Sequence, residues 1–199
     1  MAKNHSVWYN AHIMKKKIVI GFAGKISSGK GSAAAHLAKK PGVALIVFSN
    51  CLRGMLTSLH LPINRLNLRK ISLALRQAFG QDAFSKAVAA EISQAKQNLV
   101  VIDGVRRWPD VVGFNRQFNF FLVYIESEAK LRWQRAVSRN QNQGDGSTSW
   151  SKFLKQDQSE TEATIEALKK KANFIITNNG TRREFLAALD QVLKKILIK

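Results

Sequence analysis

The stretch that decides the fold is Ile18-Val19-Ile20-Gly21-Phe22-Ala23-Gly24-Lys25-Ile26-Ser27-Ser28-Gly29-Lys30-Gly31-Ser32. An apolar run of strand composition ends in a glycine-rich turn. The turn opens into an Ala-rich helical pattern, Ser32 to Lys40, which Pro41-Gly42 stops. Gly24, four residues, then Gly29-Lys30 is the spacing of a phosphate-binding loop. Glycines let the backbone curl until successive N–H groups form an anion-binding nest. The following helix adds the positive end of its dipole, and Lys30 adds a mobile point charge for β- and γ-phosphates. A plain glycine turn with Lys30 at the surface is the simpler reading of these residues. Against it, this chain's own glycine and lysine usage, about 6% and about 10%, gives only roughly 0.07 accidental matches over its length. The glycines do not fit G-x-G-x-x-G, so a dinucleotide-binding turn is not indicated.

Four more apolar runs follow: Ala44 to Phe48, Leu99 to Ile102, Phe120 to Ile125 and Phe174 to Ile176. They are continuous rather than alternating, the pattern of strands buried on both faces of a parallel sheet. Helical patterns lie between them at Leu66 to Phe79, Ala83 to Ile92, Ala129 to Val137 and Thr164 to Leu168. The last helix opens on Thr181-Arg182-Arg183-Glu184, a capping box. Phe185, Leu186, Leu189, Val192, Leu193 and Ile196 then make one apolar stripe. Strand–helix alternation predicts an α/β fold, a five-stranded parallel sheet with helices on both faces. Two intervals exceed a simple crossover. Asn50 to Gln97 is almost wholly helical. Asn140 to Ser151 is polar and Gly/Ser-rich, the composition of a lid, with Gly144 and Gly146 as hinges. Residues 1–13 are aperiodic and precede Met14-Lys15-Lys16-Lys17, which reads as a natural start. They are expected to be an extension that packs poorly.

The 199 residues carry 32 Lys and Arg against 13 Asp and Glu, a net charge of +19. All the acids lie at or beyond Asp82, so residues 1–81 are basic throughout. Such a field attracts polyanions. With 45% hydrophobic and 23% charged residues the composition is globular, which excludes disordered and collagen-like classes. No apolar run approaches the roughly 20 residues of a membrane span, and the start has no secretory h-region. A soluble, cytoplasmic chain without membrane partners is expected. The lone Cys51 excludes a disulfide framework. His5, His12, His36 and His60 show no metal-ligand spacing.

Two further features carry chemistry. Asp103 closes an apolar parallel strand, at the sheet edge where ligands bind. Arg132, Arg135 and Arg139 recur three and four apart on one helix, without an acid at i±4 nearer than Glu128. Such a face repels itself unless an anion sits between the guanidinium groups.

In Gly29-Lys30-Gly31-Ser32 the hydroxyl stands one place beyond its usual position. This form is similar to adenylate kinase and its relatives. From about residue 15 to the end, the chain resembles the P-loop nucleoside monophosphate kinase family: adenylate kinases, deoxynucleotide kinases and dephospho-coenzyme A kinases. The resemblance implies a three-layer P-loop fold, with a helical acceptor-binding insertion near 50–97 and a short lid near 140–157. ATP and Mg²⁺ are the implied cofactors. Gly24, Lys25, Ile26, Ser27, Ser28, Gly29, Lys30, Gly31 and Ser32 would hold ATP. Ser32 and Asp103 would face the metal, Asp103 by orienting its water shell. Ser49 and Arg53, in Ser49-Asn50-Cys51-Leu52-Arg53, match the family's acceptor-side turn and phosphate-gripping arginine. Arg76 would reinforce them. In Asp103-Gly104-Val105-Arg106-Arg107, either Arg106 or Arg107 would hold the acceptor phosphate. Arg132, Arg135 and Arg139 correspond to lid arginines that neutralise the transferring phosphoryl group. Asn178, Asn179 and Gly180 resemble the adenine-side loop, meeting the base through backbone groups; turn chemistry explains the same residues.

The reading is an ATP- and Mg²⁺-dependent phosphotransferase, with Lys30, Asp103 and the three arginines as its machinery and a nucleotide as acceptor. A dephospho-coenzyme A kinase is the alternative. A nucleic-acid-associated P-loop NTPase or binding module ranks third, because basic residues are not interleaved with aromatics as on a nucleic-acid-binding sheet.

Overall fold

The apolar runs assemble into one all-parallel sheet in the computed structural model, which describes residues 16–139, 148–158 and 160–198. Its strands are β1 (Ile18–Ala23), β2 (Val43–Val47), β3 (Leu99–Asp103), β4 (Asn119–Glu126) and β5 (Phe174–Thr177), in the order β2-β3-β1-β4-β5. The helices are α1 (Lys30–Ala38), α2 (Asn50–Ser58), α3 (Arg65–Phe79), α4 (Ala83–Gln94), α5 (Phe114–Gln117), α6 (Ala129–Arg139), α7 (Trp150–Asp157), α8 (Glu160–Lys169) and α9 (Arg182–Leu197). A 3₁₀ turn at Trp108–Asp110 precedes α5.

The continuous apolar strands are explained by two cores. Val19 and Ala23 of β1, Val100 and Ile102 of β3, and Phe120, Leu122 and Tyr124 of β4 point to one face. There they meet Phe84, Val88 and Ile92 of α4, Phe114 of α5, and Ile165 and Leu168 of α8. Ile20, Phe22, Val101, Val123 and Ile125 point to the other, against Ala33, Ala34 and Leu37 of α1 and Phe185, Leu189, Leu193 and Ile196 of α9. The result is a three-layer α/β fold. Strand β1 lies between β3 and β4, so the chain leaves it at the topological switch point, where parallel sheets bind ligands. The capping box of α9 is complete: Glu184 N donates to Thr181 Oγ1 and Thr181 N to Glu184 Oε2.

Between β2 and β3 the helical interval is α2, α3 and α4. The proposed lid divides: residues 140–147, with Gly144 and Gly146, lie outside the described residues, as does the 1–13 extension. Residues 150–157 form α7, capped by Ser149, which accepts from Lys152 N, and anchored by the buried Phe153. The 3₁₀ turn and α5 escape sequence analysis because three or four residues show no period.

One expected site residue belongs to the core. The Arg76 side chain is 6% exposed. It lies over the Phe84 ring, donates to Gln81 O at 2.8 Å and pairs with Asp110 at 2.7 Å. Its guanidinium therefore ties α3 to the 3₁₀ turn and is not free to grip an acceptor. Burial pushes the Asp110 carboxyl up from its ordinary value, and Arg76 opposes that shift. Replacing Arg76 by Met would strand the buried carboxylate and lower unfolding free energy by about 3 kcal/mol. Urea denaturation is the measurement, and the double variant Arg76→Met/Asp110→Leu is expected to regain most of the loss.

Candidate active site

The turn after β1 must bend sharply beside β4, and only glycine fits at its first position. Gly24 has φ +145°, and a Cβ there would stand 2.2 Å from Ile125 O. Ser27 takes a left-handed φ of 58°, and Gly29, the residue before α1, has φ 114°. The hydroxyls Ser27 Oγ and Ser28 Oγ are buried and make no hydrogen bond. Lys30, the first residue of α1, folds back over the loop, donating from Nζ to Gly24 O at 2.6 Å and Lys25 O at 2.8 Å. The loop thus has the form of an anion cradle with its lysine resting on backbone carbonyls.

Asp103 ends β3 level with Phe22 of β1. Its Oδ2 lies 3.5 Å from the position a Cβ would take on Gly31, so carboxylate and loop face each other across the switch point. Burial pushes the Asp103 carboxyl up from its ordinary value, while the charges of Lys30, Arg106 and Arg139 oppose the shift. Ser32 is exposed on the first turn of α1. Ser49 precedes α2, and Arg53, half-buried, lies one turn later with its N–H donating to Ser49 O. Arg106 is exposed, three residues beyond Asp103.

The α6 arginines do not act as one face. The Arg132 side chain is 4% exposed and forms a two-pronged pair with Asp157 of α7, one arm at 2.8 Å. It also donates to Ser127 O at 2.8 Å. The anion that the arginine spacing calls for is, at Arg132, a carboxylate of the chain itself. Arg135 donates to Ser127 Oγ and Asn178 O, both at 3.0 Å. Of the three, Arg139 is exposed, and its charge reaches Asp103. Sequence reasoning missed Asp157 because it lies 25 residues from its partner, beyond any local spacing.

In the loop after β5, Asn178 differs from expectation. Asn178 N donates to Glu126 O, and Asn178 O accepts from Ser127 and Arg135, so its backbone groups are not available to a base. Its side chain instead donates to Ser28 O at 2.8 Å. Asn179 exchanges hydrogen bonds with Glu128, accepting from its N–H and donating to its carboxylate. Gly180 makes room for the capping glutamate: a Cβ there would stand 2.4 Å from Glu184 Oε2.

Lys25 points away from the cradle, toward Glu166 of α8 at 3.3 Å and Asp157 at 3.8 Å. A cleft of about 160 Å³ lies here, lined by Lys25, Tyr124, Glu126, Ser127, Arg132 and Glu166. Helices α7 and α8 are therefore latched by charge to the side of the phosphate loop.

No family profile matches the chain. Its sequence is similar to a UPF0200 protein of Methanococcus maripaludis, 26% identical over 181 residues, covering 90% of this chain and 97% of the relative. In structure it is similar to the shikimate kinase of Bacteroides thetaiotaomicron, with TM-score 0.54 and 16% identity over 92% of this chain and 99% of the other. It is also similar to a gluconokinase of Sinorhizobium meliloti, with TM-score 0.56 and 12% identity over 92% and 98% of the two chains. The chain shares its fold with these two kinases.

Burial alone would raise the Asp157 carboxyl, but Arg132 and Lys25 outweigh it and hold the group below its ordinary value. Its contribution to stability is therefore present above the unfolded-state pKa near 3.9 and is lost as pH falls through the lower folded value. Asp157→Asn should cost about 3 kcal/mol at pH 7. The gap from the parent protein should close below about pH 4, as read by denaturant titrations at several pH values.

Proposed function

We propose that this chain is an ATP- and Mg²⁺-dependent phosphotransferase that moves the γ-phosphoryl group to a small nucleotide acceptor. One observation carries the reading: Lys30 in its glycine cradle and Asp103 at the end of β3 converge at the sheet's switch point.

The residues suit the groups they would hold. Buried serine hydroxyls without partners, a left-handed Gly29 and a resting lysine fit a phosphate chain. Among the described residues no three His, Cys, Asp or Glu side chains converge as a metal cage. Mg²⁺ does not need one, since it is commonly held by one or two carboxylates, substrate phosphates and water. Asp103 and the Ser32 hydroxyl would supply the protein's part. Bound Mg²⁺ would neutralise charge on the phosphate oxygens.

The chain's own groups would do the rest. Lys30 leaves the carbonyls of Gly24 and Lys25 and carries its charge to the β- and γ-phosphates. The N–H groups at the start of α1 hold the phosphate oxygens. Arg139 faces the charge that develops on the transferring group. Arg53 and Arg106 grip the acceptor phosphate as planar forks. Arg132 and Arg135, engaged with Asp157, Ser127 and Asn178, support the site rather than touch phosphate.

A second reading has its own support. With Arg76 engaged by Asp110, the acceptor side keeps two of its three expected arginines. Asp103 has the raised carboxyl of a general base, able to take the proton from a hydroxyl acceptor such as dephospho-coenzyme A. Among the proteins that share the fold are a shikimate kinase and a gluconokinase, whose names give acceptors other than nucleotides.

Lys30→Ala should lower phosphoryl transfer at least about a hundredfold with the fold intact; undiminished turnover would sink the kinase reading. An acceptor screen with ATP–Mg²⁺, against nucleoside monophosphates and dephospho-coenzyme A, separates the two acceptors. For a monophosphate, Arg53→Ala should raise the acceptor KM about tenfold or more and leave the KM for ATP nearly unchanged. Turnover of dephospho-coenzyme A alone, abolished in Asp103→Asn, would replace the nucleotide acceptor by the hydroxyl one.

A further inference from the structure

Asn178 follows β5, 150 residues from the phosphate loop, yet its side chain closes on it. The residue is 7% exposed. Its Nδ2 donates to Ser28 O at 2.8 Å, and a Cβ added to Gly29 would stand 2.4 Å from the same nitrogen. The amide thus sits directly against the Ser28–Gly29 peptide.

The consequence follows from peptide geometry. In a trans peptide the carbonyl oxygen and the next N–H point in opposite directions across a rigid plane. Holding Ser28 O against Asn178 turns the Gly29 N–H away from the Asn178 amide. Gly29 directly precedes α1, whose orphan N–H groups would meet the phosphates. Asn178 is itself well held: its N–H donates to Glu126 O, and its carbonyl accepts from Ser127 Oγ at 2.9 Å and Arg135 at 3.0 Å. The orientation of one loop peptide is thereby set from the ends of β4 and β5 and from α6.

We propose that Asn178 is a positioning residue for the triphosphate chain, acting through the Ser28–Gly29 peptide rather than by contact with base or phosphate. The inference rests on the ATP-binding reading above. It moves Asn178 from the adenine side, where the sequence resemblance puts it, to the phosphate side.

Binding can be measured without catalysis, by calorimetry on the full chain with Mg²⁺–tripolyphosphate and with adenosine as separate probes. Asn178→Leu keeps bulk and neutrality but removes the donor; Asn178→Ala serves as a second variant should the leucine fail to fold. The expected result is a tripolyphosphate Kd raised about tenfold, the scale of one lost positioning hydrogen bond. The adenosine Kd should be unchanged, and the melting temperature should stay within a few degrees. Asn178→Gln, which retains an amide donor, should recover part of the loss. An unchanged tripolyphosphate Kd in the folded variants, or a loss confined to adenosine, overturns the proposal and leaves the kinase reading intact. Failure of the parent protein to bind tripolyphosphate overturns both.

Discussion

Strand β1 is enclosed on every side, and that enclosure fixes where the loop that follows it can stand. Its two edges are bonded to β3 and β4, and its two faces are covered by separate cores. The chain leaving Ala23 can turn only at the carboxyl edge, between the diverging crossovers of its neighbours. Gly24 has to pass so close to Ile125 O that any side chain would collide with it. The phosphate loop is a consequence of that exit, and the positions of Asp103, Glu126 and Asn178 follow from the strands beside it.

Charge around the loop is arranged in two rings with different duties. The nearer ring, Lys30, Asp103, Arg106 and Arg139, is electrostatically coupled across the switch point, and Asp103 resists ionisation because burial outweighs its cationic neighbours. The farther ring, Lys25, Arg132, Asp157 and Glu166, pairs off within itself and binds α7 and α8 to the scaffold. The second arrangement gives a buried guanidinium the partner it needs, since an unpaired charge in that position would cost several kcal/mol. An arginine on the expected helix is therefore not by that fact a phosphate ligand. The burial of Arg132 and the exposure of Arg139 divide two residues that sequence treats alike.

The features legible in the sequence are those determined within a short window. The β1–loop–α1 unit is written in glycine spacing and a lysine, the buried strands in unbroken apolar runs, and the start of α9 in Thr181 and Glu184. Each depends on contacts between residues a few positions apart, or on burial of both strand faces, which leaves its mark in composition. Tertiary structure alone decided the partners of the polar side chains. Arg76 of α3 meets Asp110 beyond α4 and β3, Arg132 meets Asp157 across 25 residues, and Asn178 meets Ser28 across 150. A guanidinium or an amide can satisfy its hydrogen bonds with any suitable group that packing brings near, and local spacing does not encode which one. Sequence thus determined that a phosphate loop stands at the centre of a parallel sheet, and the folded chain determined which of its charged residues face that loop and which hold it in place.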